Sequence, residues 1–229
     1  MATQDVHVEE VKTKKDLLAF IRFPWDIYRK DPHWVPPLIK DQLSKFDPAH
    51  PFLSHAEMVP FLARRGGQII GRIAGIIDRH YIECHQEKIG FFGFFESVRD
   101  PEVSDILLST VRNWLKGHGM EKMAGPMNPS TNDECGLLVE GFDASPCLMM
   151  TYNPPYYAPL LEGFGLKKAM DLYAYFLSET LFPRERLFRI TERITKKEPQ
   201  LRVRPINLRR LDAELNIVKE IYNNAWSKN

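Results

Sequence analysis

Carboxylate side chains follow two apolar stretches of the chain, and a carboxylate at the end of a strand can act as a general base. Glu96 comes directly after the apolar run at 89–95, and Asp133 and Glu134 lie in a polar loop after an extended segment at 122–127. Two plainer interpretations stay open. Glu96 can be the first solvated residue of a loop, and the acid pair can cap a turn.

Other catalytic chemistries have weaker support in the sequence. Cys135 adjoins the acid pair, but no histidine is near it in sequence, and a buried structural cysteine is commoner than a nucleophile. His80, Cys84 and His85 can share a helix face but lack a fourth ligand, so no metal site is predicted. The chain has no G-x-x-x-x-G-K-S/T or G-x-G-x-x-G segment, so nucleotide binding through those loops is not expected.

The elements that must position these acids form one strand–helix–strand unit. The aromatic-rich run at 89–95 is typical of a strand buried on both faces. Apolar residues from Val103 to Leu115 recur at helical spacing, and an extended pattern resumes at 122–127. The sequence therefore predicts a right-handed crossover between parallel strands, with ligands near 96–104, beyond the strand ends.

The rest of the chain is predicted to form further strands and helices that pack around this unit. Glycines at 66 and 67 predict a tight hairpin turn, Pro24 predicts a break in the first helix, and Gly71 and Gly75 suggest a bulge or a close backbone approach. The other predicted elements are an edge strand at 6–11, a helix at 14–30, a loop with one short helix at 38–55, hairpin strands at 58–64 and 69–78, a short helix near 157–162, a strand at 168–178, helices at 184–197 and 211–226, and a strand at 201–206.

Composition excludes several classes of protein. The 229 residues include 31 basic and 30 acidic side chains, a net charge of +1 that would attract neither nucleic acid nor a membrane. Three widely spaced cysteines indicate a reducing compartment. The first residues lack the pattern of a signal peptide, and no apolar run is long enough to span a bilayer. We expect a cytoplasmic globular protein.

The element order over about residues 6–178 resembles the GNAT acyltransferase superfamily. The runs FFGFFE at 91–96, GPMNPS at 125–130 and YNPPYY at 152–157 are similar to an uncharacterised bacterial branch whose members usually have two GNAT-like halves. The resemblance implies an α/β (α+β) fold with a mixed, mostly antiparallel sheet and a central parallel crossover. A GNAT-like domain at 1–180, a linker or surface helix at 181–200 and the start of a second domain at 201–229 are predicted.

The resemblance also implies a site for acetyl-coenzyme A or another acyl-coenzyme A, whose pantetheine arm would lie where the two parallel strands separate. The superfamily's pyrophosphate signature, Q/R-x-x-G-x-G/A, falls on 99–104, where Arg99 matches and Glu102 replaces the first glycine. Asp100 suits the N-cap and Pro101 the first helical position, so two carboxylates occupy the anion's usual place. The implied cofactor-binding residues are Phe95, Glu96, Ser97, Val98, Arg99, Val103, Ser104 and Asn153.

The superfamily's general-acid tyrosine has no direct counterpart. The position of that tyrosine in the family pattern is occupied here by Leu161. Tyr157 lies one helical turn earlier and could supply the phenol instead, so it joins Glu96, Asp133 and Glu134 as a catalytic candidate. The expected activity is acyl transfer, most simply of acetyl, to a primary amine of a small molecule or peptide in a ternary complex. The alternatives are a binding module with a degenerate coenzyme A site and a scaffold for a second catalytic half, and a homodimer is left open.

Overall fold

A five-stranded sheet organises the computed structural model, which describes residues 5–178, 180, 183–200 and 204–226. The strand order is β1-β2-β3-β4-β5, antiparallel except for the parallel β4–β5 pair. The strands are β1 (His7–Glu10), β2 (Ala56–Arg65), β3 (Gln68–Asp78), β4 (Ile89–Ser97) and β5 (Lys122–Ala124), and a separate ribbon consists of β6 (Met127–Asn128) and β7 (Glu134–Cys135). The predicted α/β fold with a mixed, mostly antiparallel sheet is confirmed.

Helices flank the sheet and continue after it. They are α1 (Lys14–Arg22), α2 (Pro24–Ile27), α3 (Ile39–Ser44), α4 (Arg79–His85), α5 (Pro101–Gly117), α6 (Tyr157–Gly163), α7 (Arg184–Lys197) and α8 (Leu211–Trp226), with 3-10 turns at Pro51–Ser54 and Leu208–Arg210. Pro24 separates α1 from α2, as predicted. None of the helices in the described ranges has the length and apolar character needed to cross a bilayer.

The central crossover β4–α5–β5 follows from local sequence. Seven of the nine residues of β4 are buried, as the apolar run predicted. Helix α5 begins after the Asp100 N-cap, whose side chain accepts the Glu102 N–H, and Pro101 occupies the first helical position. Its buried residues recur at helical spacing, so one face of α5 packs on the sheet.

Two hydrophobic clusters cover opposite faces of the sheet. Neighbouring residues of β2 alternate between them, with Phe61 and Ala63 in one cluster and Leu62 in the other. The larger cluster contains buried residues of α5 and α6, and the smaller one contains Phe20 and Ile21 of α1. The sheet is therefore buried on both faces near its centre.

Glycines allow close approaches around the β2–β3 hairpin. Gly66 and Gly67 have φ values of 58° and 79° and form the predicted turn. Gly75 lies against α5, because a Cβ there would stand 2.6 Å from Cε3 of Trp114. The register of β2 against β3 shifts between Ala63 and Arg64, beside Gly71, so both the predicted bulge and the close approach are present.

One predicted strand is wrong and a second is only partly described. Residues 168–178 form no strand, and large side chains there, including Tyr173, Tyr175 and Phe176, are exposed. Apolar alternation alone is insufficient, because a strand requires a backbone partner. Of the strand predicted at 201–206, residues 201–203 lie outside the described residues and 204–206 are not in a strand.

The chain divides into two compact units, with the boundary between Leu172 and Tyr173. The first unit contains the sheet and helices α1 to α6, and the second contains α7 and α8. The domain boundaries predicted at 180 and 200, and a GNAT-like second half, stay predictions.

Candidate functional site

The parallel strands β4 and β5 share only three paired positions. β4 and β5 pair at Ile89–Lys122, Gly90–Met123 and Phe91–Ala124, and β4 then continues to Ser97 without β5. The pairing of the two parallel strands therefore ends after Phe91 and Ala124, and a slot between them for a thioester stays a prediction.

After β5, the chain passes close over β4. A Cβ on Gly93 would lie 1.6 Å from the Met127 carbonyl oxygen, so only glycine fits this crossing. The Asn128 side-chain oxygen accepts the Phe94 N–H at 2.6 Å, where Phe94 has a φ of 52°. The ribbon β6–β7 is thus attached to β4 just beyond the point of separation.

Glu96 lies near the end of β4, at the centre of a buried polar cluster. Its Oε2 accepts hydrogen bonds from the Tyr28 hydroxyl at 3.0 Å and from the Tyr157 hydroxyl at 2.6 Å. Its Oε1 lies 3.6 Å from Nη2 of Arg72, with 12% of the Glu96 side chain and 9% of the Arg72 side chain exposed. Arg72 also donates from Nη1 to the Phe20 carbonyl at 2.9 Å. Three side chains from distant parts of the chain therefore converge on one carboxylate.

Burial governs the electrostatics of this cluster. It raises the pKa of Glu96 despite the opposing charge of Arg72, and it lowers the pKa of Arg72 despite the charge of Glu96. Burial and then the Glu96 charge raise the pKa of Tyr28 and Tyr157 well above the usual value. Both hydroxyls therefore keep their protons and act as donors to Glu96.

Two tyrosines of the α6 region bind the last residue of β4. The Ser97 N–H donates to the Tyr157 hydroxyl at 3.0 Å, and the Tyr156 hydroxyl donates to the Ser97 carbonyl at 2.8 Å. Burial, followed by the Glu96 charge, raises the pKa of Tyr156 to about 12. Both backbone groups of Ser97 are thus bonded within the protein.

Charged side chains of the protein itself surround the start of α5. Oδ1 of Asp100 accepts the Glu102 N–H at 3.0 Å, and the Ser104 N–H donates to the Asp100 carbonyl at 3.2 Å. Nη2 of Arg65 lies 2.9 Å from Asp100 and 2.8 Å from Glu102. Arg99 is exposed beside this group. The expected pair of resident carboxylates is present, with an arginine between them that the sequence did not indicate.

The other residues implied for coenzyme A lie mainly in the interior. Val103 and Ser104 are fully buried, and Phe95 packs edge-on against Tyr157. The Val98 N–H donates to the Ile70 carbonyl. The Asn153 side chain accepts the Leu138 N–H at 2.7 Å and donates to the Leu138 carbonyl at 3.2 Å. Of the eight implied residues, Arg99 has the most exposed side chain.

The acids of the polar loop lie in different surroundings. Oδ2 of Asp133 accepts the Ser130 hydroxyl at 2.7 Å, and Oδ1 lies 3.9 Å from Nζ of Lys45. Glu134 lies near enough to the Glu96 cluster that its negative charge adds to the effect of burial in raising the pKa of Glu96. Within the part of the chain that the structure describes, no group of three His, Cys, Asp or Glu side chains could hold a metal ion.

The structure thus brings Glu96, Tyr157 and Glu134 into one neighbourhood and leaves Asp133 outside it. Sequence reasoning missed Tyr28 and Arg72, which complete the cluster. One signal for Arg72 was available, because it is the only charged residue between Ile69 and Ile77 in an otherwise apolar strand. A buried charge in such a run indicates a partner elsewhere in the chain.

No protein-family model matches the chain. It is 36% identical over 217 residues to protein YghO of Escherichia coli (strain K12), covering 94% of this chain and 55% of that protein. It is 37% identical over 229 residues to the bacterial ceramide synthase of Caulobacter vibrioides, covering 98% of this chain and 59% of the synthase. The chain therefore spans little more than half the length of these curated relatives.

Solved structures show a weaker likeness. An aminoglycoside N-acetyltransferase in complex with coenzyme A has 14% identity and a TM-score of 0.45, covering 77% of this chain and 99% of that chain. A tandem GNAT protein from the clavulanic acid biosynthesis pathway has 11% identity and a TM-score of 0.46, covering 70% of this chain and 43% of that one. TM-scores below 0.5 at such identities do not establish a shared activity.

Proposed function

We propose that this chain is an N-acyltransferase that moves an acyl group from a coenzyme A thioester to a primary amine. The observation that carries the proposal is the separation of β4 from β5 after Phe91 and Ala124, while β4 continues to Ser97. β6 crosses β4 at Gly93 and Phe94, so we place the gap between the strands beyond this crossing, beside the last residues of β4. An extended thioester arm can lie in such a gap, next to the loop that carries Asp133.

The 37% identity to the bacterial ceramide synthase supports an amide-forming reaction. A ceramide is the amide of a fatty acid and a sphingoid amine, so its synthesis joins an acyl group to a primary amine. This relative favours a fatty acyl group over the acetyl group expected from the sequence, and a long-chain amine as acceptor. Because the chain covers 59% of that synthase, the activity of the whole relative is carried over as part of the proposal.

The start of α5 fits the donor only in part. At the helix start, the Glu102 N–H already donates to the Asp100 side chain, and the charges of Asp100 and Glu102 repel a pyrophosphate. Arg99 is exposed next to them, and a guanidinium binds phosphate oxygens in a bidentate manner. We therefore assign the phosphate contact to Arg99 and not to the backbone of the helix.

The reaction needs placement and one proton acceptor. The amine lone pair forms the new C–N bond, the C–S bond breaks with its electrons on sulfur, and the nitrogen loses a proton. Holding amine and thioester together supplies much of the rate. Among the predicted catalytic residues, Glu96 and Tyr157 are bonded to each other inside the protein, whereas Asp133 is half-buried and reaches a cavity.

Calorimetry with octanoyl-coenzyme A tests the proposal. We expect the 229-residue chain to bind it, and Arg99→Glu to weaken binding at least about tenfold, because one charge-assisted phosphate contact is worth about 1.5–3 kcal/mol. Lys15→Glu is the matched control, since it makes the same charge change at an exposed residue in the first turn of α1. Absence of binding at about 1 mM ligand would rule the donor site out.

A binding or scaffold module is the second candidate. The ion pairs of Arg65 with Asp100 and Glu102 favour this candidate, because side chains of the protein already occupy the helix start that would otherwise hold a phosphate. This alternative expects amine binding without release of coenzyme A when octanoyl-coenzyme A and octylamine are both present. Measurable amide formation by the chain excludes it.

A further inference from the structure

A cavity of about 280 Å³ lies beside the loop that joins β6 and β7. We call it the His55 pocket. Its aromatic wall consists of Phe52, Tyr81 and Phe91, and its polar side chains include His55, Asp78 and Asp133. The volume lies just below the roughly 300–1,000 Å³ of ligand pockets, so the pocket suits a small polar head group.

His55 and Asp78 form a hydrogen-bonded pair in this pocket. Nδ1 of His55 lies 2.9 Å from Oδ1 of Asp78. The same oxygen accepts the N–H groups of His80 and Tyr81 at 3.0 and 3.3 Å, because Asp78 also caps α4. A carboxylate can only accept, so in the neutral ring Nδ1 of His55 carries the hydrogen and Nε2 holds the lone pair.

The imidazole ring is held on two sides. His80 stacks on it with ring centroids 4.1 Å apart and an interplanar angle of 8°, and Phe52 contacts it edge-on at 5.3 Å. The His55 carbonyl also accepts the Arg79 N–H at 3.0 Å. A histidine oriented by a carboxylate through Nδ1 is arranged to take a proton at Nε2.

Asp133 supplies negative charge on the loop side of the pocket. It accepts the Ser130 hydroxyl, and its contact with Lys45 is long at 3.9 Å, so an ammonium group can pair with the same carboxylate. Lys45 itself donates to the Asn128 carbonyl at 2.7 Å, which keeps it beside the ribbon. Aromatic rings and a carboxylate together favour a primary amine over an anion.

The pocket adjoins the place where the parallel strands separate. Phe91 is the last residue of β4 that pairs with β5, Met127 begins β6, and both line the cavity. A nitrogen bound in the pocket is therefore next to the crossing of β6 over β4, beyond which the thioester is proposed to lie.

We propose that the His55 pocket binds the primary amine of the acceptor at Asp133 and that Nε2 of His55 takes the proton the nitrogen loses. This inference rests on the proposed function for its chemical step. The bound ammonium first gives one proton to Nε2 of His55, which frees the nitrogen lone pair. The nitrogen then forms the C–N bond while the C–S bond breaks to leave a thiolate. The second proton of the nitrogen passes to the thiolate, and the imidazolium releases its proton to solvent.

Amine binding is measured first, without any acyl donor. Calorimetry with octylamine is expected to give a dissociation constant that rises at least about tenfold in Asp133→Asn, which removes the charge and keeps the shape. His55→Gln and the control His7→Gln, at an exposed residue of β1, are expected to stay within about twofold. Equal affinity of the protein and Asp133→Asn overturns the amine site, whether or not the chain is an enzyme.

Turnover of octanoyl-coenzyme A with octylamine then tests His55. We expect His55→Gln to lower kcat about 100-fold or more with an unchanged KM for octylamine, since general bases contribute about 10²–10⁴-fold. Added imidazole is expected to restore part of the activity of His55→Ala, which a purely structural role would not allow. Full activity of His55→Gln overturns the inference and leaves the proposed function intact.

If the protein binds octylamine through Asp133 but forms no amide, the proposed function and the role of His55 both fail, and the amine site alone stands. His7→Gln is expected to retain full turnover. Thermal unfolding of each variant separates loss of the fold from loss of the reaction.

Discussion

At the scale of single residues, the Glu96–Arg72 pair shows that burial outweighs attraction. The two side chains face each other at 3.6 Å with about a tenth of each exposed, yet the pKa of the acid is raised and that of the base is lowered. Both shifts favour the neutral forms, because desolvation of a charge inside a protein can exceed its Coulomb attraction to a partner. Tyr28 and Tyr157 compensate by donating to the carboxylate.

The raised pKa of Glu96 predicts a pH dependence of stability. The folded protein keeps the Glu96 proton at pH values where the unfolded chain has lost it. The contribution of Glu96 to the free energy of unfolding is therefore complete below the ordinary pKa of 4.5, and it is lost as the pH rises through the raised pKa of the folded state. We expect the free energy of unfolding of the protein, minus that of Glu96→Gln, to fall above about pH 4.5 by at most about 1.4 kcal/mol per pH unit.

Urea unfolding at several pH values between about 4 and 8 measures this difference. Glu140→Gln is the control, because it makes the same substitution at an exposed residue. A difference that rises with pH would mean that Arg72 overcomes burial and would contradict the expectation.

We predict that adding a single methyl group at Gly93 strongly destabilises the fold. Gly93→Ala places a Cβ 1.6 Å from the Met127 carbonyl oxygen, and a backbone atom can move away only if the β6–β7 ribbon shifts. We expect the free energy of unfolding to fall by about 3 kcal/mol or more, the upper range for overpacking. Gly117→Ala, in the last turn of α5 with nothing within 4 Å, is expected to be neutral or stabilising by up to about 1 kcal/mol.

Thermal and urea unfolding of the two glycine variants give the comparison. If Gly93→Ala were as stable as Gly117→Ala, the close crossing of β6 over β4 would be wrong. The same result would remove the attachment of the ribbon on which the His55 pocket depends.

At the scale of elements, helix α5 depends on one capping residue. Asp100→Ala removes the acceptor for the Glu102 N–H together with a contact to Arg65, and we expect a loss of about 0.5–2 kcal/mol in the free energy of unfolding. Asp100→Asn keeps a capping oxygen and loses only a partly exposed ion pair, so its loss is expected to be below about 1 kcal/mol.

Urea unfolding of the two variants separates the cap from the charge. Equal losses would mean that the ion pair with Arg65, and not the cap, stabilises the start of α5. Asp100→Asn also leaves one fewer carboxylate beside Arg99, so octanoyl-coenzyme A is expected to bind it at least as tightly as it binds the unchanged protein.

At the scale of the whole molecule, stability is concentrated in the first compact unit. All residues of the two hydrophobic clusters lie between Val6 and Leu166. The described residues after Leu172 contain no buried side chain. We therefore predict that a chain ending at Leu172 folds cooperatively, with a Tm within a few degrees of that of the 229-residue chain, because a Tm shift follows from lost buried contacts.

Calorimetry of the two chain lengths checks this prediction. Loss of a cooperative transition in the shorter chain would show that residues after Leu172 are required for the core. Urea m-values add a second test, since they scale with the surface exposed on unfolding.

Where the sequence predicted the fold correctly, the signal was local. The apolar run of β4, the helical spacing of α5 and the Asp100-Pro101 start can each be read within a few residues. The strand predicted at 168–178 was wrong because its apolar alternation had no backbone partner among the described residues. The cytoplasmic location, the homodimer and the second GNAT-like half stay predictions.

The sequence by itself determined most of the helices and the longer strands, since periodicity, caps and turn glycines act over a single turn or hairpin. Only the tertiary structure decided which side chains meet. Glu96 bonds to Tyr28 and Tyr157, which are 68 and 61 residues away, and His55 meets Asp78 at a separation of 23. Such contacts depend on how whole elements pack, and no short stretch of sequence encodes that.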